Sequence, residues 1–360
     1  MSLSGNRYKE KFSLDQFLCQ NRKVRFSFVG LAVLASLVVG SSAAIGDGSI
    51  VPAAPQPTST TSSTLTVSPA TPALSTPIQP YQFPALVDTP VPDELTDLLE
   101  SAPTDLPKPY KDRCHVQQNL TATAASCLYG NLTSNKTIVL FGDSHALSWF
   151  PAFEKLATLK KWRLLSLTMS SCWPASIPAW NSTTQMLMNN CAIWRKGALK
   201  KIAQVQPYIT FVTGTRGFST VNDTGTVLTG DARTAAWQTG MKTTLTLIKR
   251  ASQNTFLISD APESTAQYPD CLEGSLGSVL ACATPTSKAI DVGWLTTERN
   301  LAAALNVYWI NPTTWICNTE PCSPIGNDAI IYRDGGHLTS AFAATLERPL
   351  WSAVSKLLAH

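Results

Sequence analysis

Short apolar runs alternate with longer amphipathic stretches over the last 250 residues of this 360-residue chain. Continuous apolar or β-branched runs predict strands buried on both faces, and the stretches between them predict helices. The predicted strands are residues 137–141, 162–168, 208–213, 255–259 and 307–311. One predicted helix follows the first strand and ends near residue 159, and four others span residues 186–205, 232–251, 288–305 and 340–358. This order predicts an α/β fold, a three-layer α/β/α sandwich around a central parallel sheet of about five strands, with functional loops at the carboxyl ends of the strands.

An uncharged segment of 21 residues, 26–46, lies near the start of the chain. It is long enough to cross a hydrocarbon core about 30 Å thick. Six basic residues lie in residues 1–25. This charge bias predicts a cytoplasmic tail, a transmembrane signal anchor and export of everything that follows. The alternative is a cleaved signal peptide and a secreted protein, because the small residues at 40–44 resemble a processing site.

Residues 47–110 are rich in Pro, Ser and Thr. They contain thirteen of the 24 prolines, and no Lys or Arg occurs in them before Lys108. Such a composition predicts an extended linker, with a short helix around residues 93–101 as its one candidate element. The predicted extracytoplasmic domain is therefore residues 111–360.

Charge is balanced beyond the basic tail. Residues 26–360 carry 22 basic and 22 acidic side chains, without a basic stripe. Binding to the phosphates of nucleic acid requires clustered Lys and Arg, so the composition argues against a nucleic acid partner.

Eight of the nine cysteines follow the predicted span, and only Cys19 precedes it. An exported, oxidising compartment predicts four disulfides, for which eight cysteines allow 105 pairings. The cysteines arrive as near neighbours, and we expect the pairs Cys114–Cys127, Cys172–Cys191, Cys271–Cys282 and Cys317–Cys322. A metal site is not expected, because no CxxC pair is present.

The first predicted strand ends in the sequence FGDSHA, residues 141–146. Ser144 falls at the start of the following helix. A serine there is either an N-cap or a nucleophile held above the sheet, with helix-terminal N–H groups ready to bind an oxyanion. Asp143 is expected to stabilise the turn.

A second motif, RDGGHLTS at residues 333–340, precedes the last helix. Asp334 and His337 can fold back on each other, so that the carboxylate fixes the tautomer of a histidine acting as general base. The alternative is a loop aspartate beside a helix-capping Thr339 or Ser340, with an exposed histidine.

Together, GDSH and DxxHL resemble blocks I and V of the SGNH hydrolase superfamily. The sequence is similar to the SGNH domain that is fused to acyltransferase-3 membrane modules in bacterial O-acetyltransferases, although that module is absent from this chain. The resemblance covers residues 114–360 and implies an SGNH/flavodoxin-like fold. It also implies the catalytic residues Ser144 as nucleophile, His337 as base and Asp334 as its partner.

Two blocks depart from the superfamily pattern. The block II glycine is replaced by the turn MSSC, residues 169–172, and block III reads GTRG, residues 214–217, without its asparagine. We expect an oxyanion to be bound by the backbone N–H groups of Ser144 and Ser171, with Thr215 or Arg216 contributing. His145 is expected to line or support this site.

Together, the predicted anchor and the resemblance imply a membrane-anchored, extracytoplasmic serine esterase or O-acyltransferase. The expected substrate is an O-acyl group, in particular acetyl, on a cell-envelope polysaccharide, lipid-linked glycan or glycolipid. No cofactor is needed, and a transferase would take its acyl group from a separate membrane protein or from an external donor. The rival interpretation, motivated by the incomplete blocks II and III, is a catalytically weak glycan-binding or accessory protein with the same fold.

Overall fold

The computed structural model describes residues 77–122 and 126–359. The predicted tail, the predicted span and the first part of the predicted linker lie outside the described residues. Among the residues that are described, no helix is long and apolar enough to cross a membrane.

The strands of the described region are β1 (His115–Val116), β2 (Leu128–Gly130), β3 (Thr137–Gly142), β4 (Arg163–Met169), β5 (Trp180–Asn181), β6 (Met186–Leu187), β7 (Ile209–Thr213), β8 (Asn254–Ile258), β9 (Tyr308–Ile310), β10 (Ile325–Gly326) and β11 (Ala329–Ile330). Most of them belong to one sheet of seven strands in the order β1-β4-β3-β7-β8-β9, with β2 also paired to β4. The pairs within the sheet are parallel, except β2 with β4. Two separate hairpins pair β5 with β6 and β10 with β11.

Helices cover both faces of this sheet. They are α1 (Asp93–Thr96), α2 (Ser144–Ser148), α3 (Phe150–Lys160), α4 (Asn189–Val205), α5 (Gly230–Ala251), α6 (Tyr268–Glu273), α7 (Thr286–Ala289), α8 (Val292–Ala304), α9 (Thr313–Ile316), α10 (Ser340–Thr345) and α11 (Glu347–Leu358). Helix α3 contacts α10 and α11, whereas α5 contacts α4 and α8. The chain passes from β3 to β4 in one direction and then back past β3 to β7, so right-handed connections place these two groups of helices on opposite faces.

The predicted three-layer α/β/α sandwich is confirmed, and all five predicted strands belong to its sheet. The prediction missed β1 and β2, which extend the sheet to seven strands. These strands have only two and three residues, too few to show an apolar run, and their pairing depends on β4.

The predicted linker boundary at residue 110 differs from the structure. From residue 77 onward the chain lies on the domain, with Val91, Leu95 and Leu99 buried in the main core. Backbone hydrogen bonds join Leu86 to Glu320 and Val91 to Leu276. Composition misled the prediction because this stretch builds no core of its own and instead buries widely spaced apolar residues against the domain. The folded region therefore includes residues that precede residue 111.

All four predicted disulfides are present: Cys114–Cys127, Cys172–Cys191, Cys271–Cys282 and Cys317–Cys322. Their sequence separations are 13, 19, 11 and 5 residues, so each closes a local loop. The second bond joins the turn after β4 to helix α4, which fixes one of the loops at the carboxyl edge of the sheet.

Strand register brings the loops that follow β3, β4 and β7 to the same edge of the sheet. Gly142 at the end of β3 is paired with Thr168 of β4 on one side and Thr213 of β7 on the other. A Cβ atom at Gly142 would lie 1.8 Å from the carbonyl oxygen of Thr213, so β3 and β7 can approach this closely only with glycine there. The strand order reverses beside β3, and in open α/β sheets ligands bind at the carboxyl edge of such a reversal. The site should therefore lie just beyond Gly142.

Candidate functional site

Ser144 begins helix α2 directly after the end of β3. The N-cap is Asp143, whose carboxylate accepts hydrogen bonds from the backbone N–H groups of His145 at 2.9 Å and Ala146 at 3.3 Å. Ser144 is therefore not the cap. Its own backbone N–H belongs to the first helical turn, where no intrahelical carbonyl is available.

Asp143 is buried and acts as the turn-stabilising residue that the sequence predicted. Its second oxygen accepts a hydrogen bond of 2.8 Å from the backbone N–H of Thr215, which ties the loop after β3 to the loop after β7. Burial raises the pKa of the Asp143 carboxyl. A Cβ atom at Gly214 would lie 2.9 Å from this carboxylate, so the close approach of the two loops depends on a glycine.

Ser144, His337 and Asp334 form a continuous hydrogen-bonded series. The Ser144 Oγ atom lies 2.8 Å from Nε2 of His337. The Nδ1 atom of His337 lies 2.9 Å from both carboxylate oxygens of Asp334. An ionised carboxylate only accepts hydrogen bonds, so Nδ1 carries a proton and donates a hydrogen bond to Asp334. A neutral ring then has its lone pair at Nε2, where it accepts the hydroxyl proton of Ser144.

The loop before α10 holds Asp334 and His337 in this arrangement. Asp334 Oδ1 accepts hydrogen bonds from the backbone N–H groups of Gly336 at 3.0 Å and His337 at 2.8 Å. Burial favours the neutral acid, but the hydrogen bonds and charge of His337, together with these backbone bonds, outweigh it and hold the pKa of Asp334 well below its usual range. Thr339, not Asp334, caps the following helix by accepting from Phe342 N–H at 3.0 Å.

A second histidine and carboxylate lie beside this series. His145 Nδ1 is 2.8 Å from Oδ1 of Asp260, and the ring centroids of His145 and His337 are 4.7 Å apart. Burial opposes protonation of the ring, but the negative charge and hydrogen bond of Asp260 outweigh it and raise the pKa of His145 to about 9. His145 is therefore positively charged at neutral pH.

Sequence reasoning missed Asp260. It is buried and also accepts hydrogen bonds from the backbone N–H groups of Arg216 at 3.0 Å and Ala261 at 2.9 Å. Burial opposes its ionisation, but His145 and Arg216 hold its pKa below the usual value. The available signal was positional, because Asp260 follows predicted strand 255–259 just as Ser144 follows the first strand, and parallel strands end at one edge.

Arg216 and Thr215, two of the candidates for oxyanion or substrate binding, are engaged within the protein. The Arg216 side chain donates from Nε to Glu263 at 2.8 Å and from Nη2 to the carbonyl of Ala289 at 2.7 Å, and the residue is only 9% exposed. The N–H group of Thr215 is bound by Asp143, and its hydroxyl oxygen accepts from Gly217 N–H at 2.9 Å. The loop after β7 thus supports Asp143 and Asp260 through its backbone.

Ser171 lies in the turn after β4, the neighbour of β3. It has a φ of +53°, a left-handed conformation that glycine adopts more easily, so the turn keeps a glycine-like backbone at the position of the missing block II glycine. Its hydroxyl accepts a hydrogen bond of 2.8 Å from Gln118. Since Gly142 and Thr168 are in register, Ser144 and Ser171 leave adjacent strands at the same level of the sheet.

His115 also holds the turn that follows β4. Its Nδ1 and Nε2 atoms each lie 2.9 Å from a hydroxyl oxygen, those of Thr168 and Ser170. Burial lowers the pKa of His115 to about 3, so the ring is neutral and bridges the two hydroxyls as one donor and one acceptor. In the part of the chain that the structure describes, no cluster of three or more His, Cys, Asp or Glu side chains is arranged to hold a metal ion.

A mostly parallel sheet with a serine after one central strand and a paired Asp and His before the last two helices is the arrangement of the SGNH class of enzymes. The model of the family described as the SGNH domain (fused to AT3 domains) matches residues 113–352, and the chain belongs to this family. It is accordingly an acyl esterase or acyltransferase of the SGNH type. None of the curated proteins compared with the sequence matches it.

Several solved structures are similar in fold. The periplasmic domain of the lipopolysaccharide acetyltransferase of Salmonella ser. Paratyphi A is 19% identical, with a TM-score of 0.49 and coverage of 62% of this chain and 85% of the other. A GDSL-like lipase from Bacteroides thetaiotaomicron is 13% identical, with a TM-score of 0.35 and coverage of 62% and 89%. A peptidoglycan O-acetylesterase is 11% identical, with a TM-score of 0.34 and coverage of 55% and 47%.

Proposed function

We propose that Ser144, His337 and Asp334 are a catalytic triad for two-step acyl transfer. In the first step the Ser144 oxygen attacks the acyl carbonyl carbon while its proton passes to Nε2 of His337. The ester bond to the alcohol then breaks, and His337 returns the proton to the departing oxygen. In the second step water or a sugar hydroxyl attacks the acyl-serine by the reverse route, which regenerates Ser144.

The observation that carries this proposal is the 2.8 Å distance between Ser144 Oγ and His337 Nε2, with Asp334 bound to the other ring nitrogen. A general base must lie within hydrogen-bonding reach of the proton that it removes. Asp334 stays ionised across the physiological range and therefore stabilises the imidazolium that forms in each step.

For the oxyanion, we propose the backbone N–H groups of Ser144 and Ser171 as donors. Support comes from the uncapped N–H of Ser144 and from the glycine-like conformation of Ser171 on the adjacent strand. The backbone N–H group of Thr215 is bound by Asp143 and Nε of Arg216 by Glu263, so neither of these two groups supplies the third donor of related sites. Loss of one donor typically slows acyl transfer by about 10²–10³-fold, which predicts a slow enzyme.

The proposed substrate is an O-acetyl group on a cell-envelope glycan or glycolipid. The family, whose SGNH domains are fused to acyltransferase-3 modules, favours an acyl group carried by the envelope. Four disulfides favour an oxidising compartment outside the cytoplasm. With the uncharged segment 26–46, this supports a single-pass membrane protein with its folded domain outside, which works with a separate membrane acyl donor if it is a transferase.

The experiment uses the full chain in detergent, with p-nitrophenyl acetate as substrate and a fluorophosphonate as serine-directed label. We expect hydrolysis and labelling by the wild type, loss of both in Ser144→Ala, and retention of both in the control Ser352→Ala on α11. A folded wild-type protein that is neither active nor labelled would refute catalysis. That result would favour the glycan-binding accessory role, which the departures in blocks II and III motivate.

A further inference from the structure

His145 has a role that the proposed triad does not use. It follows Ser144 directly, yet its side chain turns away from the helix to Asp260, at the end of a strand two positions across the sheet. Asp260 is buried and binds Nδ1 of the ring, and two backbone N–H groups, those of Arg216 and Ala261, donate hydrogen bonds to its carboxylate. A carboxylate that is itself held by the backbone thus fixes an imidazole that is not part of the series from Ser144 to Asp334.

The other edge of the His145 ring is open. Its Nε2 atom has no hydrogen-bond partner among the described residues, and the side chain is 19% exposed. The loop that carries His337 passes this edge at Gly336, where a Cβ atom would lie 3.1 Å from Cε1 and 3.4 Å from Nε2. A side chain at residue 336 would therefore crowd this edge of the ring, and glycine keeps it accessible.

We propose that His145, held by Asp260, is a specificity-determining residue that donates a hydrogen bond from Nε2 to a sugar oxygen on the alcohol side of the ester. The ligand class is a glycan with a hydroxyl, ring or carboxylate oxygen next to the acylated position. This inference rests on the proposed triad and names a substrate contact for it.

The position of the ring identifies the alcohol side of the ester. His337 must reach the oxygen of the departing or accepting alcohol to transfer its proton, and the His145 ring centroid lies 4.7 Å from that of His337. A donor beside His337 meets the alcohol, whereas the proposed oxyanion donors lie at Ser144 and Ser171. Because the ring is protonated at neutral pH, its hydrogen bond to an oxygen is charge-assisted and stronger than that of a neutral donor.

Simple aryl esters offer no sugar oxygen at this position, which permits a test by substrate ratio. The full chain in detergent is assayed with a partially O-acetylated oligosaccharide mixture and with p-nitrophenyl acetate, and kcat and KM are measured for each. In His145→Gln the ratio of kcat/KM for the oligosaccharide to that for p-nitrophenyl acetate should fall at least ten-fold, mainly through KM. Asp260→Asn should lower the same ratio, and Asp223→Asn, which removes an exposed carboxylate, should leave it unchanged.

Equal losses on the two substrates in His145→Gln, or an unchanged ratio, would overturn the inference. So would a wild type that hydrolyses p-nitrophenyl acetate but releases no acetate from the oligosaccharides. If His145→Gln does not fold, judged by its thermal melting, the ratio for Asp260→Asn decides. Failure of the triad itself is a separate result, because it abolishes hydrolysis of p-nitrophenyl acetate by the wild type.

Discussion

His337 Nε2 lies 2.8 Å from Ser144 Oγ, although the two residues are 193 positions apart in the chain. No segment of the chain close to either residue brings the two together. Ser144 is placed by the end of β3, and His337 by a loop that leads into α10 on the face where α10 contacts α3. The contact between a hydroxyl and an imidazole is therefore made by the sheet and its helical layer as a whole.

If the two residues act as one unit, their substitutions will not be additive. Ser144→Ala and His337→Ala should each lower kcat for p-nitrophenyl acetate by at least about 10³-fold, and the double variant should be no worse than either single one. Initial rates of the three purified variants check this. Additive losses would mean that the serine and the histidine serve separate steps.

Asp334→Asn keeps a side chain of the same shape but can donate to His337 and so hold it in the wrong tautomer. We expect kcat to fall by about 10²–10⁴-fold while KM changes little. The matched control is Asp223→Asn, on an exposed loop. A variant at Asp334 with near wild-type kcat would remove Asp334 from the mechanism.

Gly142 tests the close approach of β3 and β7. Because a Cβ atom would lie 1.8 Å from a backbone oxygen, Gly142→Ala should destabilise the fold by several kcal/mol or prevent folding. A Cβ atom added at Gly197, on α4, would meet no atom within 4 Å, so Gly197→Ala should stabilise the fold by about 0.5–1 kcal/mol. Urea unfolding of the two variants measures the contrast, and similar effects at both positions would contradict it.

Leu95 tests whether residues before 111 belong to the folded domain. It is 4% exposed, whereas Leu98, three residues later, is 49% exposed. Leu95→Ala should cost about 2–4 kcal/mol of unfolding free energy and Leu98→Ala less than about 0.5 kcal/mol. An extended linker, by contrast, would make both substitutions equally harmless.

The pair of His145 and Asp260 links stability to pH. The folded-state pKa of His145, about 9, exceeds the ordinary value of 6.5. The stability that protonation of His145 adds is therefore complete below pH 6.5 and is lost as pH rises to about 9. The charged groups that act on this ring are Asp260, Asp143 and Asp334. The free energy of unfolding should fall by roughly 1–3 kcal/mol over that window in the wild type and by much less in Asp260→Asn. Denaturant titrations at several pH values measure it, and equal slopes in the two proteins would disprove the link.

The sequence predicted those parts of the molecule that depend on local pattern. Five apolar runs became strands of the sheet, and the eight cysteines paired as near neighbours. The sequence also predicts Ser144 and His337 as site residues, because both follow apolar runs at glycine-containing turns. Each of these features is contained within about twenty residues of chain.

What the sequence did not show depends on contacts between distant segments. Asp260 was missed because nothing near it in the chain pairs with a carboxylate, and its partner His145 lies 115 residues away. Arg216 forms an ion pair instead of binding an oxyanion, and the sequence does not identify its partner, Glu263, because that residue lies 47 positions further on. The docking of residues 77–110 was missed for the same reason, since Leu95 and Val91 are buried against surfaces that only the folded domain provides.

In the proposed mechanism, Ser144 carries the acyl group between the two steps. Rapid acid quenching of the full chain during turnover of p-nitrophenyl acetate, followed by peptide mass spectrometry, measures this directly. We expect an acetyl group on the Ser144 side chain, at higher occupancy in His337→Ala if that variant acylates faster than it deacylates, and none in Ser144→Ala. Turnover by the wild type with no acetyl group at Ser144, or with one on another residue instead, would contradict it.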